Sequence, residues 1–113
     1  VSGPFHSPLM ESARADLRAA LEAAPIRDAA IPVYANVSAE PVRSASEIRS
    51  LLEQQITSPV RWEESVRAMS RDGATVFHEV GPGKVLQGLI KRILPAAAVG
   101  GFDTPADCAA AAV

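Results

Sequence analysis

One histidine near the start of the chain stands where chemistry could be built, in the stretch VSGPFHSPLM at residues 1–10. A strand-like run leads into it, and Gly3-Pro4 constrain the backbone just before it. Ser7-Pro8 follow, the pattern of a helix N-cap with proline at the first helical position. The His6 ring should therefore project near a strand-to-helix edge, where open α/β sheets gather their sites. Two readings stay open there: an ordinary loop histidine, or a general base whose position the flanking elements fix. A base needs a nucleophile to act on. No G-x-S-x-G elbow occurs in the 113 residues, and Ser2, Ser7, Ser38 and Ser58 fall at caps and turns. If His6 is a base, its hydroxyl partner lies outside this chain.

The other reactive types form no comparable constellation. EVGPGK, residues 79–84, has the look of a phosphate loop, but the Walker spacing would need a glycine where His78 stands and a hydroxyl where Val85 stands. The dinucleotide spacing fails at Leu86, so the stretch reads as a tight strand-to-helix turn and Lys84 as scaffold. His6, His78 and Cys108 are too scattered for a zinc site, and no metal site is expected. His78 reads as a core or edge residue of a strand, with Glu79 beside it on the other face or capping the turn.

The elements that must position His6 follow from apolar periodicity. Leu9, Ala13, Leu17 and Leu21 predict a helix from Ser7-Pro8 to Pro25, with Arg14, Arg18 and Glu22 on the opposite face. IPVYANV, residues 31–37, reads as a buried strand with a polar exit at 38–41. Ser44 and Glu47 have capping-box spacing and open a second helix near Ala45, whose apolar stripe is Ile48, Leu51, Leu52 and Ile56. Gln55 falls inside that stripe, and a polar group there needs a partner. Ser58-Pro59 open a third helix, with Gly73 as its stop. A strand over 75–80, a helix over 85–93, a last short strand in AAVGGF and a weak Ala-rich helix from Pro105 complete the chain. Strands alternating with helices predict an α/β class with a largely parallel sheet and no linker dividing the chain.

Composition narrows the function classes. Hydrophobic residues make up 48% and charged residues 21%, with a formal net charge of -2, which suits a globular domain. The 11 basic residues are interleaved with acids rather than gathered in a stripe, so nucleic acid is not an expected partner. A single cysteine, the absence of a signal-like segment and the absence of a long apolar run give the expectation of a cytoplasmic protein without membrane association. A start at Val1, already inside a motif, gives the expectation of a fragment or trimmed product.

Four blocks in this order, VSGPFHSPLM, YANVSA, QITSPVRWEESV and HEVGPGKVLQGLIKRI, closely resemble the C-terminal portion of bacterial malonyl-CoA:acyl carrier protein transacylases of fatty acid synthesis. The resemblance covers nearly the whole chain. It implies that residues 1–113 are the C-terminal part of an α/β-hydrolase-like large subdomain with a mostly parallel sheet. The nucleophile-bearing N-terminal part and a small ferredoxin-like subdomain would lie upstream. The implied reaction moves malonyl from coenzyme A to the acyl carrier protein thiol through an acyl-serine, with His6 as general base. Gln55 would orient His6 through its backbone carbonyl, as an aspartate does in a conventional triad. A core glutamine satisfied by neighbouring backbone is the alternative for that residue. Phe5 would restrict the acyl pocket toward malonyl, and Asn36 takes a turn or supporting role. Malonyl-CoA enters as substrate and no cofactor is implied. The implied partners are the acyl carrier protein and the remainder of the same enzyme, so the segment alone should be inactive. The Ala-rich ending favours a stand-alone enzyme over a polyketide synthase acyltransferase domain. That domain and a non-catalytic α/β interaction fragment are the alternatives.

Overall fold

The computed structural model describes residues 3–111. They form five α-helices and four short strands in the order α1 (Arg14–Ala23), β1 (Val33–Ala35), β2 (Glu40–Val42), α2 (Ala45–Gln55), α3 (Trp62–Arg71), β3 (Val76–Val80), α4 (Val85–Ile93), β4 (Ala98–Phe102) and α5 (Pro105–Ala111). A 3-10 segment, Pro8–Ala13, leads into α1. Two compact units divide the chain, one up to Ser65 and one from Val66 on.

In the first unit β1 and β2 form an antiparallel hairpin, with Val33 opposite Val42 and Ala35 opposite Glu40. This corrects the expectation of a single strand over 31–37 feeding a parallel sheet. The polar residues expected to be its exit instead turn back, closed by a bond from the Ala39 N–H to the Ala35 carbonyl (2.8 Å), with Ala39 in the left-handed region at φ 59°. Pro41 lies on this hairpin opposite Tyr34, a short strand where a missing N–H is tolerated. The parallel pairing appears in the second unit, where β3 and β4 run side by side with Val76 opposite Ala98 and Val80 opposite Phe102. The α4 connection between them makes a βαβ unit, the element that parallel pairing requires.

Two local signals, at Ser44 and Gly73, act at their own positions. Ser44 caps α2 by accepting from the Glu47 N–H at 3.3 Å, and its hydroxyl donates to the Glu47 carboxylate at 2.7 Å. Asp28 adds a second cap, accepting from the Ala45 N–H at 2.8 Å. Gly73 ends α3 at φ 105°, with the Ala74 N–H bonded to the Met69 carbonyl. α3 itself begins at Trp62, three residues past Pro59 and later than the Ser58-Pro59 signal predicts. Arg61 holds that late start: its N–H reaches the Asn36 carbonyl at 2.8 Å, its guanidinium reaches the Ser38 carbonyl at 3.0 Å, and it pairs with Glu64.

α1 and α2 lie antiparallel, as their cross-links show. Arg49 near the start of α2 donates to the carbonyls of Leu21 (3.0 Å), Ala24 (3.0 Å) and Ile26 (3.2 Å), where α1 ends. Glu53 in the last part of α2 meets Arg14 and Arg18 from the first part of α1. The two arginines, expected on the solvent face, instead reach across to the neighbouring helix. The Leu17 and Leu21 stripe of α1 is half-buried rather than sealed.

Candidate active site

His6 sits in a turn, not at the end of a strand. No strand is assigned from Gly3 to Phe5, and Val1 and Ser2 of the expected run lie outside the described residues. The His6 backbone is left-handed, φ 57°. That conformation costs an L-residue about 1–2 kcal/mol, comparable to or above the ~1 kcal/mol a typical hydrogen bond returns. One bond to the ring does not hold it, so the surrounding turn must. The Ser7 hydroxyl donates to the Pro4 carbonyl at 2.6 Å, and the Met10 N–H bonds the Ser7 carbonyl at 3.0 Å. Ser7 thus closes the turn around His6 instead of capping the helix with its side chain, and the helix opens as a 3-10 segment.

The exposed ring is tied to α2. His6 Nδ1 lies 3.0 Å from the backbone oxygen of Gln55. A carbonyl can only accept, so Nδ1 carries the proton and Nε2 is the nitrogen left with a lone pair. Gln55 is the last residue of α2, and its carbonyl is one of those that a helix leaves unpaired at its C-terminus, at the negative end of the peptide dipoles. The same oxygen also accepts from the Ser58 N–H at 3.2 Å. The Gln55 side chain has a separate task, donating from Nε2 to the carbonyls of Ser58 (2.8 Å) and Pro59 (3.3 Å). Its backbone carbonyl thus contacts the imidazole while its half-buried side chain bonds the following loop.

Phe5, next to the histidine, is 61% exposed, and its ring lies against Gly3, where an added Cβ would fall 2.6 Å from Cε2. Asn36 and Gln55 share the lining of a cavity of about 250 Å³ between the hairpin and α2, whose other walls include Tyr34, Val42, Ile48 and Leu51. Glu53 accepts from Arg14 at 2.8 Å and Arg18 at 2.5 Å through one oxygen. Hydrogen bonds from Arg18 and then Arg14 hold its carboxyl down to about 2. A depressed acid contributes its stability in full above the ordinary carboxylate range and loses it as pH falls toward that value.

Sequence reasoning missed Glu53 and Arg49. The only signal available was a pair of arginines four apart on α1, which presents both to one neighbour.

Elsewhere the residues weighed for chemistry take structural roles. Glu79 accepts from the N–H groups of Leu86 and Gln87, each at 3.2 Å, so the donors that a phosphate at this helix start would need are already used. Gly81 and Gly83, at φ 135° and 87°, make the turn. Of the core and edge readings of His78 the structure fits the edge one: it is exposed on a strand of a two-stranded sheet, with its ring over Gly100 and 5.3 Å from that of Phe102. Among the described residues no three His, Cys, Asp or Glu side chains are grouped to hold a metal ion, and no helix is long and apolar enough to cross a membrane.

A βαβ unit, a helical hairpin and a histidine held by a helix-terminal carbonyl define an α/β segment that presents one proton-accepting nitrogen. No family model matches the chain. It is 48% identical over 93 residues to a malonyl CoA-acyl carrier protein transacylase of Bacillus subtilis, covering 82% of this chain and 29% of the relative. A polyketide biosynthesis protein of Burkholderia thailandensis, ThaF, is 42% identical over 115 residues, covering 100% of this chain and 10% of that protein. The crystal structure of an acyl-carrier-protein S-malonyltransferase from Bartonella henselae superposes with a TM-score of 0.91 at 39% identity, covering 98% of this chain and 35% of that one. The chain is similar to the C-terminal segment of malonyl CoA-acyl carrier protein transacylases, and spans about a third of the length of those it matches.

Proposed function

We propose that this chain is the histidine-bearing C-terminal segment of an enzyme that moves malonyl from coenzyme A to the thiol of an acyl carrier protein. The observation that carries the reading is the bond from His6 Nδ1 to the Gln55 carbonyl. It leaves Nε2 as the base. In the proposed cycle Nε2 takes the proton of a serine hydroxyl supplied by the upstream part of the enzyme as the oxygen attacks the malonyl thioester. The proton then goes to the departing coenzyme A sulfur. In the second half Nε2 takes the carrier thiol proton as sulfur attacks the acyl-serine, and returns it to the serine oxygen. The Gln55 carbonyl orients the ring and meets its transient positive charge with a partial negative one, the part an aspartate plays with a full charge.

Malonyl-CoA enters this scheme as substrate, no cofactor takes part, and Phe5 narrows the acyl pocket against an extra methyl. Such a pocket discriminates one methyl by about 1–3 kcal/mol. The partners are the acyl carrier protein and the rest of the same enzyme, in the cytoplasm. A polyketide acyltransferase domain is the second reading, supported by the match to ThaF along the whole chain.

An assay of malonyl transfer to purified acyl carrier protein tests the proposal. The full-length gene product should transfer malonyl, and residues 1–113 alone should not, because they contain no G-x-S-x-G element. Transfer by the short chain, or none by the full-length product, would refute it.

A further inference from the structure

The histidine bond is the last rung of a ladder. Along the antiparallel pair the rungs are Arg49 to the Leu21, Ala24 and Ile26 carbonyls, Arg14 and Arg18 to Glu53, and His6 to Gln55. Neither α1 nor α2 contains a fully buried residue. Half-buried leucines attract two helices but tolerate sliding, whereas a hydrogen bond weakens steeply once its distance or angle drifts. The register of α1 against α2 must therefore come from the polar rungs. Of these, Glu53 stands two residues before Gln55, and its arginines lie on the helix that His6 leads into. Its side chain is 15% exposed against 35% for Arg14 and 55% for Arg18, so the carboxylate is the shielded centre of the clasp.

We propose that Glu53 is a positioning residue for His6, acting through Arg14 and Arg18 to set the helix register that keeps the imidazole on the Gln55 carbonyl. The proposal rests on the reading of His6 as the proton acceptor for acyl transfer. As a source of stability the clasp is weak, since exposed ion pairs contribute little. As a source of geometry it is not, because a displacement of about 1 Å from a remote substitution can lower a rate ~100-fold.

The test uses the full-length enzyme. Glu53→Lys, which repels both arginines, should lower kcat about 10- to 100-fold while KM for malonyl-CoA changes less than about twofold. Glu53→Gln keeps an accepting oxygen without the charge and should fall between it and the parent, which guards against a lysine variant that does not fold. The His6 Nδ1 proton, followed by NMR, should exchange faster in the order parent, Gln, Lys. An unchanged kcat in a folded Glu53→Lys, or a kcat loss with the Nδ1 proton as long-lived as in the parent, would overturn the proposal. If His6→Asn leaves transfer intact, the acyl-transfer reading fails, and the proton lifetime alone then decides whether Glu53 positions the ring.

Discussion

His6→Asn in the full-length enzyme should lower kcat for malonyl transfer by about 1,000-fold, within the range that general acid–base groups supply, while leaving the fold intact. Asparagine suits the replacement because it tolerates the left-handed backbone that this position requires, at φ 57°. The turn closed by Ser7 on Pro4 should then persist, and loss of activity can be assigned to the missing imidazole. Far-UV circular dichroism and the urea midpoint should match the parent. A variant retaining more than about a tenth of the parent kcat would remove His6 from the chemistry.

Arg49→Ala should have the largest effect on stability among the polar rungs, a loss of about 2 kcal/mol. One guanidinium serves three carbonyls at the end of α1, all from a partly buried position. Removing it leaves backbone acceptors that the half-buried helix end hydrates incompletely, and charged donors give the stronger class of hydrogen bond. Lysine should not restore the loss, since a single ammonium cannot reproduce the fork that reaches all three oxygens. Urea unfolding of the full-length enzyme should show a lower midpoint with an unchanged slope. A shift below ~0.5 kcal/mol would mean that water satisfies those carbonyls as well as arginine does.

What could be read from sequence was local. Ser44 and Glu47 mark the start of α2, Gly73 the end of α3 and Gly81-Pro82-Gly83 the turn before α4, because each acts through backbone within a few residues of itself. Gln55 stood out as a polar residue in an apolar stripe, and the structure gives both its backbone and its side chain a partner. The pairing of Glu40–Val42 was hidden, since Pro41 argues against a strand and only the return of the chain onto Val33–Ala35 overrides it. Ser7 does stand at the N-cap with Pro8 after it, but its hydroxyl bonds the Pro4 carbonyl instead of a helix N–H. Arg14, Arg18 and Arg49 were illegible for a different reason. Helical periodicity says which face a side chain leaves from, and a long flexible arginine can leave from a flank and still reach the next helix. Distance between helices is a tertiary quantity, and the ladder that leads to His6 is written in it.

The protonation state of one ring tests the account most directly. In nitrogen-15 NMR of the full-length enzyme, at a pH where the His6 imidazole is neutral, the proton should reside on Nδ1 and Nε2 should be bare. A neutral His6 ring protonated on Nε2 would break the bond to Gln55, leave Nε2 without a lone pair for a hydroxyl or thiol proton, and contradict the assignment of this nitrogen as the base.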